Sequence, residues 1–303
     1  MSWTAFFLVL VSVFLHAGWN FLSKSGRPSA AFYLVMSMTS ATIWLPFFLF
    51  SGLDAGKLPF SFWLYWIGSG VCEVLYVLGL FKAYSKCDIS MAYPLARALP
   101  VLMVAAVTIV FGIGRIPGAA ALAGMVVVSA GCLLMPLRSL QEFSLKSYLN
   151  PAIGAILLAA AGTTGYTVLD SMALPLFREA ARDSALVGCG AYLFGIETML
   201  AIGLGWYVAR RRRERAEFRR LFLKSAYPSL AGIFASGCYI LILLAMGDVT
   251  NVSFIQAFRQ MSLPLGVLAG IFILKESHAP VKLIGIGLVI AGLVQMVEIM
   301  LKK

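Results

Sequence analysis

Ten apolar stretches, each near twenty residues long, divide the chain, and short polar or Gly/Pro-bearing breaks separate them. Their cores run Trp3–Leu22, Ala30–Ser51, Phe62–Tyr84, Ile89–Phe111, Gly118–Pro136, Leu149–Leu169, Ala185–Ala209, Tyr227–Met246, Asn251–Leu274 and Val281–Met300. A helix needs about 20 mainly apolar residues to cross a hydrocarbon layer about 30 Å thick. The pattern therefore predicts an all-α integral membrane fold of ten transmembrane helices, with no room for a separate soluble domain. Between the sixth and seventh stretches, Asp170–Ser184 carries Asp170, Arg178, Glu179, Arg182 and Asp183, and reads as a loop or surface helix.

Composition agrees. Hydrophobic residues make up 61% of the chain and charged residues 12%, against roughly 25% charged in soluble domains. No basic segment precedes the first stretch, which is long enough to span, so it reads as a retained helix and not a cleaved signal peptide. A net charge of +11 would suggest nucleic acid in a soluble protein, but here the positive residues sit in loops. No nucleic-acid partner is expected.

The loops after the odd-numbered stretches hold Lys24, Arg27, Lys82, Lys86, Arg138, Lys146, Lys275 and Lys282. They also hold the run Arg210, Arg211, Arg212, Arg213, Arg215, Arg219, Arg220 and Lys224. The other side has only Lys57, Arg115, Arg178, Arg182, Lys302 and Lys303. Retention of Lys and Arg on the cytoplasmic face places the odd-numbered loops in the cytoplasm and both termini outside. The basic run is a topology signal that can also touch anionic lipid.

The sequence excludes several chemistries. Cys72, Cys87, Cys132, Cys189 and Cys238 are scattered without a C-x-x-C pair, which argues against disulfides and metal and for packing roles. His16 and His278 are the only histidines, and no zinc, Ser-His-Asp or phosphate-loop signature occurs. The expectation is no enzyme, no catalytic residue, no metal, no cofactor and no direct use of ATP.

The chain also repeats itself. Shifted by 161 residues, Leu122–Met135 overlays Leu283–Met296, and Leu122, Gly124, Val128, Ala130, Gly131 and Met135 meet identical residues. Shifted by 162, Ala83, Arg97 and Ile109 meet Ala245, Arg259 and Ile271. The two halves, 1–140 and 141–303, hold five helices each. An odd number makes the second half enter the membrane from the opposite face, so the halves form inverted repeats, an architecture many transporters use for alternating access around a midplane site. A channel or a structural bundle with an internal duplication is the other reading.

The end of the first stretch, His16-Ala17-Gly18-Trp19-Asn20 followed by Lys24, resembles the first-helix pattern of the EamA type of the drug/metabolite transporter superfamily. Leu263-Pro264, Lys275-Glu276 and the run from Gly285 to Gly292 are similar to that family's ending. The resemblance covers both halves and implies a ten-helix, inverted-repeat carrier of amino acids, other metabolites or drugs. One departure is Phe111-Gly112-Ile113-Gly114-Arg115, where the family often has an acidic residue, so Glu276 has no twin in the first half.

Ionisable groups inside spanning helices are costly and tend to face a cavity or a partner. Glu73, Arg97, Glu197 and Arg259 sit near the centres of the third, fourth, seventh and ninth stretches. A guanidinium stays charged and offers a planar fork suited to carboxylate or phosphate. Arg97 and Arg259 are thus candidate contacts for an anionic substrate group, most simply an amino-acid carboxylate; alternatively Glu73 and Glu197 neutralise them in structural ion pairs. Either glutamate could instead couple transport to protons.

His16, Trp19 and Asn20, at i, i+3 and i+4, share one helix face that either lines the cavity or ties the first helix to its neighbours. Tyr93, Pro94 and Pro100 flank Arg97, and Gln256 and Pro264 flank Arg259, where proline kinks would free carbonyls at the same depth. Tyr93 and Gln256 complete the candidate binding set.

The expected function is secondary transport, in the export direction, of a small amphipathic metabolite such as an amino acid or organic anion. Its partners are that small molecule and the lipid bilayer. The chain acts as a monomer or weak homodimer in the cell membrane, the cytoplasmic membrane of a bacterium. An exporter of drugs or hydrophobic cations, or a channel or receptor, is the alternative. A cation carrier of the small multidrug-resistance kind would need a carboxylate in its first helix, which this chain lacks.

Overall fold

The computed structural model describes residues 1–25, 29–86, 89–135, 137, 139, 152–181, 184–265, 268 and 279–301. Lys275, Glu276, His278 and Cys87, singled out above, lie outside them, as do Arg27, Arg138, Lys146, Arg182 and Lys302. Among the described residues the chain is helical and contains no strand.

Eleven α-helices among the described residues follow in order: α1 (Trp3–Ser25), α2 (Ala30–Leu49), α3 (Phe60–Lys86), α4 (Ile89–Val110), α5 (Ala119–Leu134), α6 (Ile153–Ala180), α7 (Ala185–Ala209), α8 (Arg212–Lys224), α9 (Tyr227–Met246), α10 (Val252–Phe258) and α11 (Pro280–Leu301). Without water, backbone N–H and C=O groups must bond within the segment, which leaves the helix as the economical spanning form for single stretches. Among the described residues seven helices are long and apolar enough to cross a membrane: α1, α2, α3, α6, α7, α9 and α11. Phe7, Ile67, Ile202 and Trp206 lie on their outer faces with more than half of their surface exposed. Asp170 and Gln256 are fully buried. Apolar outside and polar inside is the arrangement lipid requires, and the chain is a multi-pass membrane protein.

Helix starts follow capping chemistry. The Ser29 and Asn251 side chains accept from the backbone N–H groups of Phe32 (3.1 Å) and Ser253 (2.9 Å) at the starts of α2 and α10, satisfying donors that the first helical turn leaves unbonded. A second cap comes from far along the chain: Glu214 of α8 accepts from the Ala31 N–H at 2.9 Å. The basic run therefore folds as an amphipathic surface helix, with Leu221 buried beneath it.

One expectation is corrected here. Asp170–Ser184, expected as a loop or surface helix, is helical as far as Ala180, because α6 continues unbroken through Asp170, Pro175 and Arg178, and it turns Asp170 and Phe177 inward instead of to the surface. Asp170 and Arg178 in this stretch have internal partners. Arg178 donates to the Leu243 carbonyl (3.3 Å) and the Cys189 thiol (2.9 Å) near the C-terminal end of α9, where a cation suits the helix dipole.

Four helix pairs make the broadest packing surfaces: α1 with α9, α2 with α7, α3 with α6, and α5 with α11. The α5–α11 pair crosses through glycine. A Cβ on Gly131 would stand 2.7 Å from the Gly285 carbonyl oxygen, and one on Gly292 would stand 2.7 Å from that of Gly124. Pairing 131 with 285 and 124 with 292 makes the helices antiparallel. Val289 flanks Gly131 as Val128 flanks Gly292, and Met296 covers Gly124 as Met135 covers Gly285.

A second clamp joins the α4–α5 turn to the α9–α10 turn. Arg115 N–H donates to the Thr250 carbonyl at 2.8 Å, and Asn251 Nδ2 donates to that of Ile113 at 3.0 Å. Gly114 permits this approach, with φ at +70° and the Thr250 oxygen 2.7 Å from where a Cβ would be.

Gly131→Ala should destabilise the protein by about 1–3 kcal/mol through overpacking, read as a lower melting temperature of the purified protein. Gly287→Ala, where an added Cβ meets nothing within 4 Å, should leave it equal or raised, since alanine stabilises a helix interior by up to about 1 kcal/mol over glycine.

Candidate functional site

Six long helices and the end of α10 converge on one cavity of about 70 Å³. Its wall takes His16 and Trp19 from α1, Tyr33 and Met36 from α2, and Glu73, Tyr76 and Val77 from α3. Tyr166 comes from α6; Ile196, Glu197 and Leu200 from α7; Ala235, Cys238 and Tyr239 from α9; and Arg259 from the turn after α10. By the same measure a single water needs roughly 10–15 Å³, so the space fits a small polar group.

Arg259 sits where the helix changes character. After α10 the chain tightens into a 3₁₀ turn over Arg259–Met261, a feature that often marks a hinge or site inside a helix. The Arg259 carbonyl there accepts from Arg97 Nη2 at 3.2 Å, while the same nitrogen donates to Ser262 Oγ at 2.8 Å. Ser262 Oγ donates to that carbonyl as well, at 2.9 Å. The side chain of Arg97 thus holds the backbone of Arg259 in its tightened form. The two arginines matched by sequence meet, but they do different work: Arg259 lines the cavity, and Arg97 is a buried brace behind it.

The Arg259 guanidinium is 6% exposed, and its Nε and Nη1 donate to no protein group. Its carbon lies 6.0 Å from the Tyr239 ring centre, at the outer limit of a cation–π contact. Among the described residues no carboxylate comes within 4.0 Å of it; the ion pairs there are the surface contacts Lys57–Asp54 and Arg220–Glu217. Glu73 is half-buried and lies within electrostatic range of Arg259, Asp170 and Glu197. Glu197 is 8% exposed, and its Oε2 accepts no hydrogen bond.

On α1, Trp19 Nε1 donates to His16 Nδ1 at 3.1 Å, with the rings edge to face. A neutral imidazole that accepts at Nδ1 carries its proton on Nε2, and Nε2 has no protein partner. The pair therefore offers the cavity an aromatic wall and one N–H donor. Asn20, predicted on the same face, instead donates to the backbone carbonyl of His16 at 2.7 Å and is not part of the wall. Gln256 is fully buried one turn before Arg259, and neither end of its amide finds a partner. The helix at Tyr93 is described, but its side chain lies outside the described residues.

The sequence reading missed Asp170. Its carboxylate accepts from Ser69 Oγ at 2.5 Å on α3, Tyr192 Oη at 2.6 Å on α7, and Tyr239 Oη on α9. One buried residue of α6 thereby joins four helices directly behind the cavity, and Tyr239 belongs to both the cluster and the wall. Tyr76, Tyr166 and Tyr239 continue edge to face along that side. A signal was present: Tyr166, Asp170, Ala173 and Phe177 fall at helical spacing and are all buried, so the periodicity runs past the apolar boundary.

No protein-family model and no curated protein matches the chain. Solved structures do, 28 chains among them. One, a crystal structure described only as that of a protein, is 17% identical with a TM-score of 0.66, over 97% of this chain and 98% of that one. At that identity the likeness shows a shared fold.

Asp170→Asn should destabilise the protein by about 1–3 kcal/mol, because an amide nitrogen cannot accept from hydroxyls arranged for a carboxylate. Asp170→Ala, which orphans all three hydroxyls, should cost more. Asp54→Asn, in an exposed surface turn, should cost under about 0.5 kcal/mol. Thermal unfolding in detergent measures all three, and equal melting temperatures for Asp170→Asn and wild type would show the cluster to be dispensable.

Proposed function

We propose that the protein is a secondary transporter that moves a small amphipathic metabolite across the cell membrane by alternating access, in the export direction. The single observation that carries this reading is the cavity. It is lined by helices from both halves of the chain and presents Arg259, which is hydrogen-bonded to Tyr166 but has no carboxylate within 4.0 Å among the described residues. A charge held in a low-dielectric interior without a counter-ion costs several kcal/mol, and an anionic ligand removes that cost while it is bound.

On this reading the chain has ten crossings in two inverted halves of five, resembling the EamA type of the drug/metabolite transporter superfamily. The fourth, fifth and ninth crossings run through α4, α5 and α10, and α8 lies on the surface between the seventh and eighth. The packing supports it. An axis that exchanged the halves would turn the α1–α9 contact into the α6–α3 contact and map the α2–α7, α4–α10 and α5–α11 contacts onto themselves, and all of these pairs occur. The residues of the α5–α11 crossing, Gly124, Val128, Gly131 and Met135 against Gly285, Val289, Gly292 and Met296, are the pairs that match at a shift of 161.

The cavity volume favours a small metabolite over a drug. About 70 Å³ falls well below the roughly 300–1,000 Å³ of drug-sized pockets. Four ionisable side chains, His16, Glu73, Glu197 and Arg259, stand in its wall among aromatic and aliphatic ones, an arrangement that suits an amphipathic molecule.

Reconstituted in liposomes preloaded with unlabelled amino or organic acids, the protein should show saturable counterflow of the labelled compound. Arg259→Gln should raise the half-saturating concentration about 10- to 100-fold, equivalent to the roughly 1.5–3 kcal/mol of a hydrogen bond to a charged group. Flux that rises linearly with concentration would point to a channel instead. Unchanged saturation in a correctly folded Arg259→Gln protein would remove the arginine from the site.

A further inference from the structure

The basic run at 210–224 carries more than a topology signal. Retention on one face of the membrane needs positive charge of either kind. Yet seven of the eight positive residues here are arginine, the side chain whose planar fork meets phosphate oxygens two at a time. Two acids lie among them, and both are engaged: Glu214 caps α2 and Glu217 pairs with Arg220. Arg210, Arg212, Arg213 and Arg219 are exposed and form no ion pair among the described residues.

Their placement supplies the partner. On α7, Ile202, Trp206 and Arg210 fall at i, i+4 and i+8, along one stripe, and all three are exposed. The outward apolar stripe of a long apolar helix thus runs straight into the first arginine, whose guanidinium lies 3.7 Å from the Trp206 ring centre. Arg211 lies 3.5 Å from that of Tyr207. Aromatic rings of this kind mark the level of lipid headgroups. On α8, the face opposite the buried Leu221 carries Arg212, Arg219 and Leu223, and Leu223 is 76% exposed. Phe222 is exposed beside it and stacks on Phe218. Arginines interleaved with bare aromatic and aliphatic groups suit the boundary between headgroups and acyl chains. An acidic protein or nucleic acid would match the charge and leave Phe222 and Leu223 unused.

The helix is also tied to the rest of the bundle. The Glu214 carboxylate accepts from the Ala31 N–H at 2.9 Å, where negative charge suits the N-terminal end of α2. Two and five residues further on, Tyr33 and Met36 enter the cavity wall.

We propose that α8 and the end of α7 form a docking site for anionic phospholipid, with Arg210, Arg212, Arg213 and Arg219 on its phosphates, and that the Glu214 cap passes its occupancy to α2. The site lies apart from the cavity and does not depend on what the cavity binds. A ligand that holds only the folded form stabilises it by mass action, so occupancy of a helix fastened to α2 registers in the melting of the whole protein.

The test follows thermal unfolding of the full chain in dodecyl maltoside as phosphatidylglycerol or phosphatidylcholine is added, while native mass spectrometry counts bound lipid. Phosphatidylglycerol should raise the melting temperature by several degrees, at a concentration at least tenfold below that at which phosphatidylcholine does the same. The preference should shrink as NaCl rises, because salt screens exposed charge. Replacing Arg210, Arg212, Arg213 and Arg219 together by glutamine should raise the half-effective phosphatidylglycerol concentration tenfold or more. Lys57→Gln, in the turn after α2, should leave it unchanged. Glu214→Ala should still bind the lipid but lose more than half of the stabilisation, and Glu214→Gln, whose amide oxygen can still accept, should lose less.

Equal stabilisation by phosphatidylcholine or by inorganic phosphate would overturn the lipid site. So would an unchanged preference in the glutamine variant, or tighter capture of polyglutamate than of phosphatidylglycerol, which would make the partner an acidic polypeptide. The comparison of two lipids on the wild type needs no variant, so misfolding of any substituted protein does not shield the idea. Undiminished stabilisation in Glu214→Ala would remove the link to α2.

Discussion

A guanidinium cannot escape burial by losing its proton, because arginine stays charged at every physiological pH. Lysine, histidine, aspartate and glutamate can each neutralise when water is withdrawn. Arg259 therefore imposes a fixed positive charge on the interior of this membrane protein, and the structure around it is organised to hold that charge in place. Arg97 fastens its backbone carbonyl, the 3₁₀ turn aims its side chain, and Tyr239 turns a ring towards it. The fold could have lowered the cost with a carboxylate in contact. Instead Glu73 and Glu197 remain on neighbouring helices, beyond ion-pair distance. A guanidinium hydrogen-bonded to Tyr166 but without a carboxylate in contact is the arrangement that the proposed transport of an anionic group would use.

Precision at that site depends on close helix packing elsewhere. Lipid provides no hydrophobic force between helices, so association rests on van der Waals contact and hydrogen bonds. Gly79 and Gly162 let α3 and α6 approach backbone to backbone, with a Cβ at either position falling 2.6 Å from a backbone nitrogen of the other helix. That contact carries Ser69 and Asp170 into hydrogen-bonding distance. The glycine crossing sets the spacing, the carboxylate cluster locks it, and Tyr239 transmits the result to the cavity wall. Loosening the glycine contact would move a wall residue without touching any group that meets a ligand.

Much of this was legible in the sequence because lipid leaves few choices. Charges inside long apolar runs are rare enough to be informative one at a time, which is how Arg259, Glu73, Glu197 and His16 stood out. The internal match at a shift of 161 picked out glycines that do cross at an interface. Other features were marked more weakly. Asp170 lies beside Arg178, Glu179 and Arg182, so hydropathy ends the helix where the chain does not; partners on three other helices make its burial tolerable, and no local pattern encodes them. The α-to-3₁₀ change at Arg259–Met261 falls where Pro264 removes the bond to the Gln260 carbonyl four residues earlier, so proline did mark it, whereas the brace from Arg97 to the Arg259 carbonyl had no local mark. The equivalence of Arg97 and Arg259 was visible, but their division of labour was not.

That division bears on how such a protein would move. If two halves related by an axis stood in identical conformations, Arg97 and Arg259 would have matching surroundings. They do not: one donates to the main chain around the other, and the other lines the cavity. The helix that carries Arg97 runs unbroken from Ile89 to Val110, whereas the one that carries Arg259 leaves α-geometry at that residue. In the proposed alternating-access scheme such inequality is required, because inverted halves open to opposite faces only by adopting different conformations. The Arg97 bond to the Arg259 carbonyl holds one of those conformations. Opening towards the other face would have to release it, leaving a second guanidinium to be satisfied by water, by ligand or by a tightened turn in α4.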